Sequence, residues 1–284
     1  MAILSIQSWV AYGHVGNAVA SFALQRLGME VWAANTVNFS NHPGYGQWRG
    51  ERAGGPAVTA LVDGVASLGV LGQCEAVLSG YLGSADMAAA VLHAASLVRA
   101  ANPAALYCCD PVIGDTAPGI YVEGAIPAFL RDRCLPAADI LTPNHFELGF
   151  LSGRPVTSLA AAKDAANHLR HAMRPGGIVL VTSLLTPQTP AGAIDLLVVD
   201  ATGSHRLRTP LLPFGPSGAG DLVAALFLFQ ILRGATAPAA MAAAAAAVFG
   251  VLRHTIDTGS RELALVAAQH ELVSPSACFT PVSC

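Results

Sequence analysis

The stretch "GPSGAGD", residues 215–221, places three glycines directly before an acid, and Asp221 opens an apolar run that predicts a helix. The first N–H groups of a helix are unpaired and carry partial positive charge, and neighbouring glycines let the backbone approach an anion closely. Gly218, Ala219 and Gly220 are therefore candidates for a phosphate cradle. A carboxylate beside a phosphate repels it, but it suits a base that takes the proton from a hydroxyl attacking that phosphate.

On this stretch alone a second interpretation stays open, because a tight turn before a helix also uses glycines. The helix dipole favours an acid in the first turn whatever its function. The same dipole predicts that Asp221 is ionised at neutral pH, with a pKa near the unperturbed value of about 4. The loop is not a Walker loop, because no GK[ST] follows it, and Lys163 is the only lysine in the chain. Metal ions and backbone amides would have to neutralise the transferring phosphate.

Four polar residues in two other short motifs could serve a metal. "CCDPVIGD" supplies Asp110 and Asp115, and "TPNHFE" supplies Asn144 and Glu147, three residues apart and so on one face of a helical turn. Magnesium uses few protein ligands and keeps several waters, so a sparse acidic set suits it. Taken singly, Asp110 could be a turn former, and Asn144 with Glu147 a capping box. Taken together, the four favour a site.

Strand-like and helix-like segments alternate along the chain and would position these residues. We expect strands over residues 2–8, 29–37, 76–83, 105–115, 138–144, 177–183, 192–200 and 204–211. We expect helices over residues 16–28, 57–71, 86–101, 124–133, 144–152 and 158–172, two long helices after the glycines, and a long loop over residues 38–56. This alternation predicts a mostly parallel, doubly wound sheet, with the last two strands as an antiparallel edge. No composition shift marks a boundary, so residues 1–284 are predicted to form one domain.

Ligands of open α/β sheets bind outside the carboxyl ends of the strands, so polar residues there are candidates. Besides the acidic motifs, these positions hold Ser8, Tyr81, Thr182 with Ser183, and the loop over residues 38–49.

Composition excludes several classes of protein. Net charge is −3 with scattered arginines, which gives no basic face for nucleic acid. Hydrophobic residues make up 53% and charged residues 12%, but the most apolar span, residues 237–252, is mostly alanine and predicts a core helix, not a membrane anchor.

The first residues show no signal-peptide pattern, so a cytoplasmic protein is expected. Six cysteines show no metal-like spacing, and Cys108 and Cys109 should point to opposite faces of a strand.

The motifs resemble a known family over nearly the whole chain. "GPSGAGD" before an apolar helix is similar to the C-terminal signature of the ribokinase-like superfamily. Within that superfamily the chain resembles the pyridoxal kinases, through "LSIQSWVAYGHVGN", "NTVNFSNHPGYGQWRG", "VLSGYLGS", "CDPVIGD", "ADILTPNHFELGFLSGR" and "GPSGAGDLVAALFL". The resemblance implies a three-layer α/β/α ribokinase-like fold and a homodimer. It also implies Mg²⁺-dependent transfer of phosphate from ATP to pyridoxal, and leaves open whether a monovalent cation is needed.

The resemblance also implies a role for each matching residue. Asp221 would be the catalytic base toward the 5'-hydroxymethyl group, and Gly218, Ala219 and Gly220 would supply the anion-hole amides. The residues implied to line or order the vitamer pocket are Ser8, Val15, Phe39, His42, Pro43 and Tyr81. The residues implied to serve ATP are Asp110, Asp115, Asn144, Glu147, Thr182, Ser183, Gly218 and Gly220, with Asp110, Asp115 and Glu147 toward the metal.

One residue departs from the family pattern. Pro43 stands where the family usually has a threonine after "SNH", and that threonine side chain helps to hold the ring substituents of the vitamer. Proline offers neither a hydroxyl nor an N–H group. We therefore expect altered affinity or vitamer preference with the phosphoryl machinery complete.

Three other functions compete with this interpretation. A hydroxymethylpyrimidine kinase of the same superfamily would open with a glycine-rich first turn, whereas this chain opens with "SIQSWVAYGH". A non-catalytic vitamer-binding protein is disfavoured by the intact Asp221 after an intact glycine loop. A dinucleotide-binding oxidoreductase needs GxGxxG after the first strand, which "YGHVGN" does not supply.

Overall fold

The chain folds around a ten-stranded sheet in the computed structural model, which describes residues 1–213 and 215–284. The strands are β1 (Ala2–Tyr12), β2 (Glu30–Asn41), β3 (Gly50–Arg52), β4 (Cys74–Ser79), β5 (Leu106–Cys109), β6 (Gly114–Asp115), β7 (Gly119–Ile120), β8 (Ile140–Leu141), β9 (Ile178–Leu184), β10 (Ala193–Asp200), β11 (Gly203–Pro210) and β12 (Val282–Ser283). Strands β6 and β7 form a separate small hairpin.

The main sheet is parallel at its centre and antiparallel at both edges. Its order is β12-β11-β10-β9-β8-β5-β4-β1-β2-β3. The pairs from β9 through β2 are parallel, whereas β10, β11 and β12 pair antiparallel on one side and β3 pairs antiparallel with β2 on the other. The chain leaves β1 toward β2 and returns to the opposite side of β1 as β4, so the order reverses there. A ligand crevice is expected at that reversal.

Helices cover both faces of the sheet. They are α1 (Asn17–Arg26), α2 (Gly55–Ser67), α3 (Met87–Ala101), α4 (Ile126–Phe129), α5 (Leu135–Ala137), α6 (His145–Ser152), α7 (Leu159–Ala172), α8 (Ala219–Leu232), α9 (Ala237–Asp257) and α10 (His270–Val273). One apolar core contains side chains of α2, α3, α6 and α7, and the other contains side chains of α1, α8, α9 and α10. Cys109 belongs to the first core and Cys108 to the second, as their alternation on β5 predicts. The predicted three-layer α/β/α fold is confirmed.

The alanine-rich helix α9 is one helix that could cross a membrane by length and composition. In the fold, 56% of its most apolar window is buried. Its small side chains let it pack closely on α8 and the sheet, so we interpret it as a core helix.

The prediction of one long loop over residues 38–56 was wrong in part. Strand β2 continues to Asn41, a one-turn 3₁₀ helix covers Pro43–Tyr45, and β3 returns along the edge of β2. Val37 and Phe39 are buried on alternate positions, as a half-buried strand requires. Strand β1 likewise extends beyond the predicted residue 8 to Tyr12, in register with β2.

Candidate active site

The glycine loop, residues 215–220, ends at the start of α8 in a backbone shape that needs glycine. Gly218 is the N-cap of α8 and has a φ of 94°. A Cβ atom on Gly218 would lie 1.9 Å from the backbone oxygen of His14. The loop therefore touches the backbone of residues 13–16, which we call the β1 turn because it follows strand β1. Two segments far apart in sequence meet here with no side chain between them.

Asp221 lies in the first turn of α8 and is held from the β1 turn. The N–H of Gly16 donates a hydrogen bond of 2.8 Å to its Oδ2. Burial raises the pKa of Asp221 above its ordinary value, and the Gly16 N–H and the charge of His42 oppose that rise. The expectation of an unshifted pKa was wrong, because loss of water around the half-buried carboxyl outweighs these two opposing effects.

Two further acids, Asp110 and Glu147, lie buried beside Asp221. Burial first, and then the charges of Glu147 and Asp221, raise the pKa of Asp110 well above its usual range. The hydroxyl of Thr142 donates 2.8 Å to Oδ1 of Asp110 and works against that rise. Burial raises the pKa of Glu147 to about 7, although three backbone N–H groups stabilise its charged form. The cluster concentrates negative charge at the carboxyl ends of β5 and β8.

Glu147 and Asn144 form the predicted capping box at the start of α6. Oδ1 of Asn144 accepts from the N–H of Glu147, and Oε2 of Glu147 accepts from the N–H of Asn144, both at 2.9 Å. Oε1 of Glu147 also accepts from the N–H groups of Ile113 and Gly114, at 2.9 and 3.4 Å. Glu147 thus fixes the backbone after Asp110. Asp115 is exposed, and its Oδ1 accepts from the N–H of Thr116.

The acidic cluster suits a divalent cation that takes few ligands from the protein, and it does not suit a cation that is ligated by protein side chains alone. Within residues 1–213 and 215–284, no group of three or more His, Cys, Asp or Glu side chains is arranged to hold a metal. Each oxygen of Glu147 already accepts from backbone N–H groups, which leaves it a supporting position. Burial and the neighbouring acids disfavour the charged form of Asp110, and a divalent cation bound there would stabilise that form.

An aromatic cluster lies on the other side of the β1 turn, at the ends of β1, β2 and β4. Val15 and Phe39 are buried in one small apolar group, against which Tyr81 packs. Ser8 is 8% exposed and lies against Gly16, where a Cβ atom would be 2.4 Å from its Oγ. Trp48 stacks on Phe39 with ring centroids 4.0 Å apart. Of the predicted vitamer-binding residues, Val15, Phe39 and Tyr81 therefore lie together in this cluster, and Ser8 lies beside the β1 turn that carries Val15.

His42 and Pro43 lie on residues 42–49, which we call the vitamer loop. Nδ1 of His42 accepts from the N–H of Gly44 at 3.1 Å and is 3.3 Å from Oγ of Ser217 in the glycine loop. Burial lowers the pKa of His42, against the charges of Glu262 and Asp221. Pro43 occupies the first position of the 3₁₀ helix, where its fixed φ is tolerated, and its ring is exposed.

A mostly apolar cleft of about 140 Å³ opens on the opposite side of the glycine loop. Its lining residues come from β9, β10, β11, α8 and α9, and include Thr182, Ser183, Gly220, Val223 and Phe249. Ser183 has a φ of 51°, the left-handed region that a non-glycine residue rarely adopts. Thr182 bridges to Asn144, which links this cleft to the acidic cluster. Lys163 lies on α7 and is not among the lining residues.

Sequence reasoning missed three residues that contact the site. Burial first, and then the charges of Glu147, Asp110, Asp115 and Asp221, raise the pKa of Tyr121, so this side chain lies within range of the charges of the acids. Tyr45 and Glu262 meet beside the vitamer loop, where Oη of Tyr45 donates 2.6 Å to Oε1 of Glu262. Tyr45 lies in a motif already singled out by resemblance. Glu262 follows the end of α9 and carries no local signal.

The chain matches described proteins over most of its length. Residues 66–265 match the sequence model of the phosphomethylpyrimidine kinase family. A pyridoxal kinase PdxY of Granulibacter bethesdensis is 54% identical over 286 residues, covering 100% of both chains. A pyridoxal kinase PdxY of Deinococcus radiodurans is 50% identical over 98% of this chain and 94% of its own length.

A solved structure has the same fold. The pyridoxal kinase of Leishmania donovani in complex with ADP and pyridoxamine superposes with a TM-score of 0.90 at 30% identity, covering 99% of both chains. The predicted relationship is therefore confirmed by sequence and by fold.

Proposed function

The chain belongs to the pyridoxal kinase family, and on that basis we propose that it transfers the γ-phosphoryl group of ATP to the 5'-hydroxymethyl group of pyridoxal. The products are pyridoxal 5'-phosphate and ADP. One observation carries the assignment of the chemistry. Asp221 accepts a hydrogen bond from the β1 turn beside the aromatic cluster, and its neighbour Gly220 lines the apolar cleft. The acid therefore lies between the two regions to which we assign the two substrates.

The reaction needs a proton acceptor and donors for the phosphoryl charge. The hydroxyl oxygen of the vitamer attacks the γ-phosphorus, the bond from that phosphorus to the bridging oxygen of ADP breaks, and Asp221 accepts the hydroxyl proton. The backbone N–H groups of Gly218, Ala219 and Gly220 at the start of α8 would stabilise the equatorial oxygens. The hydrogen bond from the N–H of Gly16 holds the carboxyl of Asp221 against the β1 turn and favours its charged form.

We place the vitamer ring against the aromatic cluster, with Ser8, His42 and Tyr81 around it. The adenine end of ATP suits the apolar cleft, and Thr182 and Ser183 lie where that cleft meets the acidic cluster. Asp110 would hold Mg²⁺, with Glu147 and Asn144 supporting it and Asp115 reaching it through water. Bound there, the ion would neutralise charge on the phosphates. The positive charge of the ion would offset the repulsion from Glu147 and Asp221, so that Asp110 would stay ionised.

The chain is also proposed to work as a homodimer in the cytoplasm. Its low content of charged residues, 12%, and exposed apolar side chains that include Trp9, Leu61 and Leu68 support an interface between two copies. Cys74, Cys108, Cys109 and Cys134 are buried free thiols, which suit a reducing compartment. Light scattering of the purified protein measures its mass in solution and so tests the proposed homodimer.

A coupled assay of ADP release tests the proposed reaction across pyridoxal, pyridoxine, pyridoxamine and hydroxymethylpyrimidine. The last acceptor is included because of the family model that residues 66–265 match. The motifs that distinguish the pyridoxal kinases, around Ser8 and His42, lie ahead of that stretch, so we expect pyridoxal to be preferred. A preference for hydroxymethylpyrimidine would contradict the proposal and assign that acceptor instead. If ADP is released with none of the four acceptors, the proposed reaction is ruled out.

A further inference from the structure

Glu262 lies in the turn after α9, and the chemistry described above gives it no task. Resting on the proposed function, we propose that Glu262 is a positioning residue whose carboxylate ties the vitamer loop to the β1 turn. The tie would hold the vitamer pocket in its binding shape before the vitamer arrives.

Both oxygens of the Glu262 carboxylate are engaged, each by a different segment. Oε1 accepts the hydroxyl of Tyr45 from the vitamer loop at 2.6 Å. Oε2 accepts the backbone N–H of His14 from the β1 turn at 3.3 Å. The same β1 turn donates from Gly16 to Asp221. One carboxylate therefore fixes the vitamer loop relative to the segment that orients the catalytic acid.

The β1 turn is shaped to receive this carboxylate. Gly13 has a φ of 100°, and a Cβ atom on it would lie 2.1 Å from Oε2 of Glu262. Any side chain at position 13 would therefore push the carboxylate away, besides straining the backbone. This constraint is independent of the hydrogen bonds and points to the same contact.

Tyr45 is held on its ring as well as at its hydroxyl. The guanidinium of Arg261 lies 4.5 Å from the ring centroid, and the ring of Tyr12 meets it edge-on at 6.0 Å. The bond to Glu262 is the main reason that the pKa of Tyr45 rises to about 12. A tyrosine hydroxyl is protonated at neutral pH in any case, so the hydroxyl of Tyr45 is available as the donor to Glu262.

The consequence concerns binding and not the transfer step. Residues 42–49 bring Trp48 against Phe39 of the aromatic cluster and His42 against Ser217 of the glycine loop. Ordering a free loop on binding costs free energy that lowers affinity. With the tie intact, that cost is already met by folding. Without it, the Michaelis constant for the vitamer should rise, whereas the Michaelis constant for ATP and the turnover number should hold.

The test compares Tyr45→Phe, Glu262→Gln and the double variant with two matched controls. Tyr12→Phe removes the hydroxyl of an exposed tyrosine that touches the same ring, and Glu30→Gln neutralises an exposed acid at the start of β2. Two quantities are measured on the full chain. They are steady-state constants for pyridoxal and for ATP, and hydrogen exchange of the amides of residues 42–49 without ligand.

We expect Tyr45→Phe and Glu262→Gln each to raise the Michaelis constant for pyridoxal about three- to tenfold. The other constants should stay within about twofold and loop amides should exchange faster. The double variant should be no worse than the worse single variant, because each single variant already breaks the same tie between the vitamer loop and the β1 turn. The controls should match the parent.

Loop amides that exchange at the parent rate in Tyr45→Phe would overturn the proposal, whatever the kinetics show. A fall in the turnover number with an unchanged Michaelis constant would overturn it too, because Glu262 would then act on the transfer step. If Glu262→Gln fails to fold, Tyr45→Phe, which removes one oxygen atom, decides alone. If no vitamer is phosphorylated by the parent, the proposed function fails, and the exchange measurement still decides whether the tie exists.

Discussion

At the scale of single residues, Asp221 combines two features that a helix-start acid does not need. It accepts a hydrogen bond from a segment 205 residues away, and burial raises its pKa. A base with a raised pKa takes a proton more readily than an ordinary carboxylate does, provided that it is ionised at the working pH. Both features favour a catalytic role.

Asp221→Asn should lower the turnover number by about 10²- to 10⁴-fold, the usual contribution of a general base. The amide keeps the size of the side chain and can still accept from Gly16, but it cannot take the proton. Nucleotide affinity should hold or improve, because a negative charge near the phosphates is gone. Coupled ADP release and nucleotide titration measure the two effects, with Asp164→Asn on α7 as the control. Turnover within a few-fold of the parent would leave Asp221 as a helix-start acid only.

The pH dependence of kcat/KM for pyridoxal should reveal the raised pKa of Asp221. The base works only when unprotonated, so the rate must fall as the pH falls through that pKa. Because burial raises the pKa, the acidic limb should lie above about pH 4, the range of an ordinary aspartate. Rates measured between pH 4 and 8 locate it. A limb at the ordinary value would contradict the burial argument.

At the scale of elements, the glycine loop and the β1 turn depend on each other. Gly218→Ala should lower kcat/KM by about 10²-fold or more, because the new Cβ would meet the oxygen of His14 at 1.9 Å and φ is 94°. That oxygen belongs to the backbone and cannot rotate away, so the anion-hole amides must shift. Gly215→Ala is the control, since no described atom lies within 4 Å of its Cβ. Equal activity of the two variants would show that the loop tolerates the displacement.

One substitution in the vitamer loop should improve the binding of pyridoxal. Pro43→Thr should lower the Michaelis constant for pyridoxal by up to about tenfold if it restores one neutral hydrogen bond worth roughly 0.5–1.5 kcal/mol. Proline holds the first position of the 3₁₀ helix, where threonine can also lie, so the loop should keep its shape. Pro43→Ala lacks the hydroxyl and should behave like the parent. A change confined to the turnover number would mean that residue 43 does not face the vitamer.

The sequence predicted the parts of the site that depend on local pattern. The glycines before Asp221 predicted a helix N-terminus. The predicted carboxyl ends of the strands indicated that Asp110, Glu147 and Thr182 lie at the ligand-binding edge of the sheet. The continuation of β2 had a signal too, because Val37 and Phe39 alternate with polar residues. The contacts of Gly16 with Asp221 and of Tyr45 with Glu262 had none, since they join segments more than 200 residues apart. The pKa of Asp221 was missed for the same reason, because burial depends on tertiary structure.

At the scale of the whole molecule, the reversal of strand order beside β1 separates two binding regions. The aromatic cluster lies at the ends of β1, β2 and β4, the apolar cleft lies among β9, β10, β11, α8 and α9, and the glycine loop lies between them. The acidic cluster borders the cleft. In the proposed reaction this arrangement would bring the phosphates of ATP beside the acids, and cations would have to balance the repulsion.

Removing divalent metal should therefore abolish turnover while the fold persists. Chelator should stop ADP release, leave the circular dichroism spectrum unchanged, and be reversed by excess Mg²⁺. The expected reason is that Asp110, whose pKa is well above its usual range, would otherwise face the phosphates without a counter-charge. Full activity in chelator would rule out this role of the acids.

The placement of the only lysine has a consequence for what the enzyme makes. Pyridoxal and its phosphate are aldehydes, and aldehydes condense with uncharged lysine amines to form Schiff bases. Lys163 lies on α7, outside the apolar cleft and the aromatic cluster, and the other fourteen of the 15 Lys and Arg residues are arginines, which stay protonated. The pocket therefore offers the carbonyl carbon no ε-amine to attack it, and the phosphorylated aldehyde can leave without being captured by the protein that produced it.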